Sequence, residues 1–463
     1  MSLHDLSAVD LLKAYRKKAL SPVEVVRAIL DHIASFEPHL KATYRLDPEA
    51  ALAAATRAEA RWRHGEPQGA LDGVPITIKD NIATKGVPVP LGTAAADLAP
   101  APADAPPAAR VREEGAVILG KTTMPDYGML SSGLSSFHPL TRNPWDLTKN
   151  PGGSSAGAGA AAAAGYGPLH LGTDIGGSVR LPATWCGIFA LKPSLGLVPI
   201  DPPYIGRVAG PMTRTVADSA LLMSVVSKPD ARDHMSLPYR ELAFDAAAKT
   251  PKGLRMGLLL DAGCGLPVEP VVARAVETAA KTFSDAGAAV EPMRPFLTRE
   301  MLDGLDHFWR MRAFVDISSL PEARRAKALP FIVDWAMSAK PFGGAKVFKD
   351  FSQVMATRQA AVAACAGFDY VLSPVSPVAP FAADLPCPTN DPARPLEHIA
   401  FTVPYNMSEQ PAASINCGYT AQGLPIGLQI AGKRFDDVGV LQIARWYEEA
   451  RGPQRPWPKP PAN

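Results

Sequence analysis

The first part of the chain carries apolar side chains at helical spacing. Val9, Leu12 and Tyr15 recur three residues apart and predict an amphipathic helix near the N-terminus. The segment Ser21–Glu24 has the sequence of a capping box, with proline at the first helical position, and predicts that a second helix begins there. An alanine-rich stretch predicts a third helix over residues 48–64. The chain is therefore expected to open with helices.

Beyond this helical part the pattern changes to short apolar segments with the character of strands. Residues 74–79 alternate as Val-Pro-Ile-Thr-Ile-Lys, so Lys79 lies near the end of a predicted strand. Further core strands are predicted at residues 117–120, 256–260, 370–374, 412–416 and 425–430. Helices are predicted between and after them at residues 158–164, 268–286 and 437–450. This alternation predicts an α/β fold, with a central sheet covered on both faces by helices.

The domain organisation is inferred from the absence of any visible division. The 463 residues show no interdomain linker and no internal repeat, so we expect residues 1–463 to form a single domain. Residues 228–360 are the least patterned stretch. We expect them to pack as a helical cap beside the functional site.

Composition and charge narrow the classes of function. Hydrophobic residues make up 47% of the chain, which allows a large core, and the net charge is only +2. No basic stripe is visible, so nucleic acid is not expected as a direct partner. Neither a signal peptide nor a long apolar run is visible, which predicts a cytoplasmic protein without a membrane partner. The five cysteines are far apart in the sequence, so no metal or other cofactor is expected. For the oligomeric state, a homodimer is the default expectation.

Three separate segments carry the residue types of a serine nucleophile with a lysine base. Lys79 comes first, the Gly152–Gly157 turn contains Ser154, and the Gly176–Ser178 turn follows. Serine is a poor nucleophile without a base, and lysine is a base only when burial lowers its pKa enough to leave it neutral. No histidine lies near either glycine turn, which favours a Ser-Lys arrangement over Ser-His-Asp. These residues predict acyl transfer, most often amide hydrolysis.

The first two segments also have plainer interpretations. Lys79 on its own is most simply a residue at a strand end that pairs with the neighbouring Asp80. The Gly152–Gly157 turn on its own is a helix start or an anion-binding nest. No nucleotide-binding glycine pattern accompanies it, so nucleotide binding is a weak hypothesis.

The Gly172–Arg180 segment carries the most specific of the three signals. Two glycines stand directly before Ser178 and can aim several backbone N–H groups at one point, which is what an oxyanion hole requires. The plainer interpretation is a tight turn in which Asp174 pairs with Arg180. We expect both to hold, with the ion pair as scaffold and the serine as the reacting group.

Together these motifs resemble those of the amidase signature family. The resemblance runs from about residue 5 to residue 450 and includes residues 79–81, 120–125, 142–146, 152–157, 172–180 and 423–429. It implies the amidase-signature fold, with a mixed and twisted central β-sheet between layers of α-helices. It also implies an amidohydrolase that cleaves a small carboxamide, acting on carbon–nitrogen bonds of linear amides other than peptide bonds.

The resemblance further implies a role for each site residue. Ser178 matches the nucleophile that forms the acyl-enzyme, Ser154 the serine that relays the proton, and Lys79 the neutral base. The peptide bond that precedes the relay serine is expected to be cis. The oxyanion-hole backbone, besides that of the nucleophile itself, is matched by Ile175, Gly176 and Gly177.

The substrate pocket is expected to be partly apolar. Its predicted wall residues are Met129, Leu130, Ser131 and Thr173. Aromatic side chains from the cap could join them, namely those of Trp309, Phe314, Phe331 and Trp335. The plainer interpretation of these aromatic residues is cap core. Apolar walls favour an aryl or short aliphatic amide as substrate.

Two other functions stay open. One is the glutaminase A subunit of a tRNA-dependent amidotransferase. Residues 130–136 differ from the pattern of that subunit, and residues 398–406 contain no acid to hold the ammonium group of glutamine, Glu397 being the nearest. Both departures count against this role. The other function is a catalytically silent scaffold that retained the fold.

Overall fold

The computed structural model describes residues 2–461. Its strands are β1 Thr43–Leu46, β2 Pro75–Lys79, β3 Val117–Thr122, β4 Leu169–Asp174, β5 Phe189–Lys192, β6 Val208–Thr213, β7 Arg255–Leu258, β8 Ala289–Pro292, β9 Tyr370–Pro374, β10 Ala412–Tyr419 and β11 Pro425–Ala431. Its helices are α1 Ala8–Arg16, α2 Pro22–Leu40, α3 Pro48–His64, α4 Pro106–Glu113, α5 Ala156–Ala164, α6 Arg180–Cys186, α7 Val216–Val226, α8 Pro270–Asp285, α9 Arg299–Ser318, α10 Glu322–Arg325, α11 Pro330–Met337, α12 Gly344–Cys365, α13 Val403–Met407 and α14 Asp437–Ala450. Short 3-10 helices lie at Leu3–Asp5, Asp126–Gly128 and Glu397–Ile399.

The strands form one mixed sheet of eleven, in the order β1-β3-β2-β4-β6-β5-β10-β11-β9-β7-β8. Strand β2 is parallel to both of its neighbours, and so is β7 at the far end of the sheet. The remaining neighbours pair antiparallel. The predicted α/β fold with a mixed central sheet is confirmed.

Helices cover both faces of this sheet, because successive strand residues point to opposite sides. In β5, Phe189 and Leu191 join a core cluster with α7, α8 and α14, whereas Ala190 packs with α5 and α6. Helix α5 consists of buried alanine and glycine, and a Cβ on Gly157 would overlap the carbonyl oxygen of Ala42. Small residues therefore let the backbone of the chain approach this helix closely.

Local signals predict several elements well. Helix α3 and strand β9 span the predicted residues. The capping box forms, since Glu24 N–H donates to Ser21 Oγ and Ser21 N–H donates to the Glu24 carboxylate. Other strands, β6 among them, are not predicted. β6 contains Gly210 and Pro211, which have low strand propensity, and it is a strand because β4 and β5 pair with its two sides.

Residues 228–360 are not uniformly helical, contrary to the expectation of a helical cap. Their middle part contains β7, α8 and β8, and both strands join the edge of the main sheet through β9. β7 lies at the strand predicted for residues 256–260, whereas β8, with four residues, is too short for a clear alternation in the sequence and is not predicted. Helices α9 to α12 follow them, and α9 reaches the site described below.

The helices differ widely in length and in apolar character. Across residues 2–461, none of them is both long enough and apolar enough to cross a bilayer.

Candidate active site

The site lies where the parallel strands β2 and β4 end side by side. β2 ends at Lys79, and β4 ends with Thr173 and Asp174. Parallel neighbours place their carboxyl ends at the same edge of a sheet, so these side chains lie close together. Ser154 comes from the turn before α5, and Ser178 from the turn before α6. Three segments that are far apart in the sequence thus converge.

Lys79 is fully buried and contacts two hydroxyl groups. Its Nζ donates to Ser154 Oγ at 2.8 Å and to Thr173 Oγ1 at 2.9 Å. Burial lowers the pKa of Lys79 to about 7, against the opposing attraction of Asp174 and Asp80. A substantial fraction of the amine is therefore neutral at physiological pH, which is the state that a base requires.

Asp80 does not pair with Lys79, contrary to the plainer interpretation of this segment. Its carboxylate accepts hydrogen bonds from the backbone N–H groups of Leu91 and Gly92, at 3.0 and 2.9 Å. Another carboxylate contact is His138 Nε2, at 2.7 Å. Asp80 therefore holds two loop segments in place and leaves the amine to the hydroxyl groups.

The peptide bond Gly153–Ser154 is cis, as the resemblance predicts. Its glycine has no space for a side chain, because a Cβ there would overlap the backbone nitrogen of Ser132. The next residue, Ser155, joins the two glycine turns, since its N–H donates to the carbonyl oxygen of Ser178 at 3.1 Å. This hydrogen bond fixes the turn that contains Ser154 relative to the turn that contains Ser178.

Asp174 and Arg180 form the predicted ion pair beneath this turn. Both side chains are completely buried, and two guanidinium nitrogens donate to the two carboxylate oxygens at 3.0 Å. Burial alone would raise the pKa of Asp174, but the guanidinium holds it well below its usual range. Arg180 also donates to Gln429 Oε1 at 2.8 Å and to Asn406 Oδ1 at 2.6 Å. The paired charges and these further hydrogen bonds make the turn a rigid support for the serine.

Not all backbone N–H groups of the turn are available to a ligand, contrary to the predicted set of oxyanion donors. The N–H of Gly177 donates to Asp174 Oδ1 at 2.8 Å and is therefore already engaged. In the described part of the chain, the N–H groups of Ile175, Gly176 and Ser178 have no protein acceptor. Gly177 instead shapes the turn, with a φ of +129° that favours glycine. The assignment of Gly177 as an oxyanion donor is corrected on this ground.

Ser154 and Ser178 line the same cavity. The nucleophile candidate is 9% exposed and the relay candidate 4%, so both are nearly enclosed. Within residues 2–461, no direct hydrogen bond joins their hydroxyl groups in this conformation; the hydroxyl of Ser154 is instead bonded to Lys79.

The predicted pocket walls largely coincide with the observed ones. All four predicted wall residues line the cavity: Met129, Leu130, Ser131 and Thr173. Of the four aromatic residues predicted from the cap, Trp309 and Trp335 line the cavity, whereas Phe314 and Phe331 do not. The two tryptophans also belong to a buried apolar cluster, so the interpretation as cap core holds for them too.

Several wall residues are missed by sequence reasoning. Arg207, directly before β6, and Arg312, on α9, both line the cavity, as do Tyr127 and Asn81. Asn81 Nδ2 donates to Thr173 Oγ1 at 3.0 Å, and its place directly after the Lys79-Asp80 pair could have identified it. The arginines carry no such signal, because they are far apart in the sequence and only the fold brings both of them to the cavity.

Glu397, the acid nearest to the expected ammonium site, does not line the cavity. Its two carboxylate oxygens each accept a hydrogen bond from Arg299 at 2.7 Å, and Arg394 lies within 3.1 Å. No aspartate or glutamate is among the lining residues. For metals, the residues described here contain no group of three or more His, Cys, Asp or Glu that could hold an ion.

Comparisons of this chain with known proteins agree on the family to which it belongs. Residues 24–441 match the family model described as Amidase. The chain is 32% identical to the A subunit of glutamyl-tRNA(Gln) amidotransferase from Heliobacterium modesticaldum, over 98% of each protein. It is 33% identical to the protein of the same name from Myxococcus xanthus, over 97% of this chain and 98% of the other.

Solved structures agree on the fold and differ in the reaction that they represent. A bacterial aryl acylamidase of the amidase signature family superposes with a TM-score of 0.88, at 30% identity and 96% coverage of both chains. A 6-aminohexanoate cyclic dimer hydrolase gives 0.86 at 26% identity, over 99% of each chain. The A subunit of glutamyl-tRNA(Gln) amidotransferase from Thermotoga maritima gives 0.81 at 26%, over 100% of this chain and 99% of that one.

These relatives contradict the expected partners. From the sequence, nucleic acid is not expected as a direct partner, and a small-molecule amide is expected, with a homodimer as default. The relatives from Heliobacterium modesticaldum and Myxococcus xanthus are instead named as subunits of an amidotransferase for glutamyl-tRNA. The expectation is contradicted on this ground, because the net charge of one chain gives no information about the other members of an assembly.

Proposed function

Because the chain belongs to the amidase signature family, we propose that it hydrolyses a carboxamide through an acyl-enzyme on Ser178. The observation that carries the proposal is the state of Lys79. This lysine is fully buried, its pKa is lowered to about 7, and its Nζ lies 2.8 Å from the hydroxyl of Ser154. A group with this pKa can both accept a proton and return it near neutral pH.

In the proposed reaction, protons move along the series Ser178, Ser154, Lys79. Ser154 passes its hydroxyl proton to the neutral amine of Lys79 and takes the proton of Ser178, whose Oγ attacks the amide carbonyl carbon. The resulting tetrahedral intermediate collapses when the ammonium of Lys79 returns its proton, through Ser154, to the leaving nitrogen. Ammonia or an amine departs, and water then cleaves the ester on Ser178 by the same route.

The negative charge on the carbonyl oxygen needs donors that are already in place. We assign this role to the N–H groups of Ile175, Gly176 and Ser178, which are free of protein acceptors in the described chain. One such donor typically lowers the barrier by about 3–4 kcal/mol. Gly177 supports them indirectly, by holding the turn against Asp174.

Labelling with a fluorophosphonate tests the nucleophile. We expect the probe to modify Ser178 in the wild-type chain and in Ser224→Ala, which removes an exposed hydroxyl on α7, and not in Ser178→Ala. Amide turnover should follow the label. Undiminished turnover by Ser178→Ala would refute the mechanism, and absence of labelling in the wild type would favour a silent scaffold.

The most strongly supported biological role within this chemistry is a glutaminase A subunit of a tRNA-dependent amidotransferase. The support comes from the relatives of that name, which share 32–33% identity with the chain along nearly their whole length. The test compares the chain alone with the chain co-expressed with the other amidotransferase subunits of its source. We expect copurification and a glutaminase rate that rises when those subunits and glutamyl-tRNA are added. Neither result would be seen for an independent hydrolase.

A stand-alone amidohydrolase is the second candidate, and two observations favour it. The cavity has tryptophan walls, and its lining contains no acid to bind the ammonium of glutamine. Solved structures of an aryl acylamidase and of a cyclic dimer hydrolase superpose closely on the chain. This candidate predicts turnover of anilides or short amides by the isolated chain, at rates that added subunits do not change.

A further inference from the structure

Two arginines face the same cavity from different parts of the fold. Arg207 comes directly before β6, and Arg312 comes from α9. Both line the cavity that contains Ser154 and Ser178. Neither accepts or donates a proton in the transfers proposed above, although the positive charge of Arg207 contributes to lowering the pKa of Lys79.

These guanidinium groups have no carboxylate partner in the described chain. Arg207 donates to the backbone carbonyl of Pro202, and the guanidinium of Arg312 lies 4.3 Å from the centre of the Tyr204 ring. Asp201 and Asp233 attract Arg207 without forming an ion pair with it. Each guanidinium therefore keeps several N–H donors without a charged acceptor.

Other enclosed arginines of the protein show the usual arrangement. Arg180 is paired with Asp174, and Arg310 is paired with Asp306 at 2.7 Å. Around Arg207, burial and the positive charge of Arg312 instead lower the pKa to about 10. Two like charges that line the same cavity repel each other unless an anion lies between them.

We propose that Arg207 and Arg312 form an anion subsite that holds a carboxylate of the amide substrate, at a distance from the amide that Ser178 attacks. A guanidinium presents parallel N–H donors that match the two oxygens of a carboxylate. The substrate class is thus amides that carry a carboxylate, such as half-amides of dicarboxylic acids. Glutamine also belongs to this class, so the inference rests on the proposed amide hydrolysis but not on either of its two biological roles.

The experiment uses pairs of amides that differ only in the carboxylate. Glutaramate is compared with pentanamide, and terephthalamate with 4-methylbenzamide, by the rate of ammonia release. We expect kcat/KM of the wild type to favour the acid of a pair by at least about tenfold, and Arg207→Gln or Arg312→Gln to lower it for the acid by roughly 10–100-fold. The uncharged amide should change by less than about threefold, since a lost charge-assisted hydrogen bond affects only the acid.

Two further variants define the effect. Arg325→Gln removes a partly exposed charge on α10, outside the cavity lining, and should leave both rates unchanged. Arg207→Lys keeps the charge and should restore part of the preference. Because the two arginines are on different elements, Arg312→Gln still tests the subsite if Arg207→Gln does not fold. Equal rates on acid and neutral amides in the wild type, or an equal loss for both in the arginine variants, would overturn the proposal.

A binding measurement separates this inference from the proposed function. Glutarate, which has no amide to cleave, is titrated calorimetrically into Ser178→Ala and into the double variant that also carries Arg312→Gln. Binding that depends on Arg312 supports the subsite even if no amide is hydrolysed by the wild type. Hydrolysis of amides without any arginine-dependent binding of glutarate supports the reaction and refutes the subsite.

Discussion

Replacing Lys79 by methionine separates the chemical contribution of this lysine from its cost to the folded protein. Methionine has a similar length and is suited to a buried site, but it cannot accept a proton. Ser154 would then have no base within hydrogen-bond distance, since its hydroxyl is bonded to Lys79 Nζ. We expect kcat/KM to fall by at least about 10³-fold, because residues that act as one unit fail together.

The effect on stability has the opposite sign. Burial lowers the pKa of Lys79 from its ordinary 10.5 to about 7, and at about 1.4 kcal/mol for each pKa unit this costs the folded state about 5 kcal/mol below pH 7. The variant avoids this cost, but it also loses the two hydrogen bonds of the lysine, which lowers its net gain in stability by roughly 2 kcal/mol. We therefore expect Lys79→Met to exceed the wild type in unfolding free energy by about 3 kcal/mol at pH 6.5.

This advantage should disappear as the pH rises. Between pH 7 and 10.5 the unfolded wild type binds more protons at this lysine than the folded wild type, so the wild type gains stability through that window. The variant lacks this gain. We expect the difference between the two proteins to shrink by up to about 1.4 kcal/mol for each pH unit and to be near zero around pH 9.

The assay is urea unfolding of both proteins at pH 6.5, 7.5 and 9, with the difference taken at each pH so that other titrating groups cancel. Lys121→Met is the matched control, because Lys121 is also buried, its pKa is also lowered to about 7 by burial, and it does not line the cavity. It should show the same pH trend with activity retained. A stability difference independent of pH, or an active Lys79→Met, would refute the reasoning.

Three further outcomes are expected. The kcat/KM of the wild type should rise with pH, with the midpoint of the rise near pH 7, and at pH 6 it should be about tenfold below its plateau. The reason is that protonated Lys79 cannot accept a proton. A kcat/KM that does not change with pH would contradict this prediction. Gly177→Ala should lower turnover by at least about 100-fold and the free energy of thermal unfolding by about 1–3 kcal/mol. The reason is that φ at this position is +129° and the new Cβ would lie 2.6 Å from Thr402 Oγ1. Wild-type turnover and stability would show that the turn tolerates a side chain. Arg180→Met should lower the unfolding free energy measured in urea by about 3–5 kcal/mol, because Asp174 would stay buried without its partner. A loss below about 1 kcal/mol would show that the ion pair is not needed to support the turn.

Local signals account for the elements that the sequence predicts. The capping box at Ser21 and the apolar strand that ends at Lys79 are both recognisable from a few neighbouring residues, and both form where expected. Strand β6 shows the limit of such signals. Its glycine and proline argue against a strand, and pairing with β4 on one side and β5 on the other outweighs that local preference.

The sequence by itself also singled out the side chains that are proposed to react, because short glycine contexts and a strand end mark Lys79, Ser154 and Ser178. It did not reveal Arg207 and Arg312, which are far apart in the chain and line one cavity only in the folded structure. Nor did it show that the N–H of Gly177 is bonded to Asp174. Backbone direction in a turn depends on dihedral angles that the residue types allow but do not specify.

Only the tertiary structure decided whether Lys79 can be a base. The pKa of a lysine is set by its desolvation and by the charges around it, and both depend on the segments that enclose it. Here the strand β2, the turn before α5 and the end of β4 surround the amine with hydroxyl groups and exclude water, while Asp80 is held by Leu91, Gly92 and His138. The residue type was given by the sequence, and its protonation state was given by the fold.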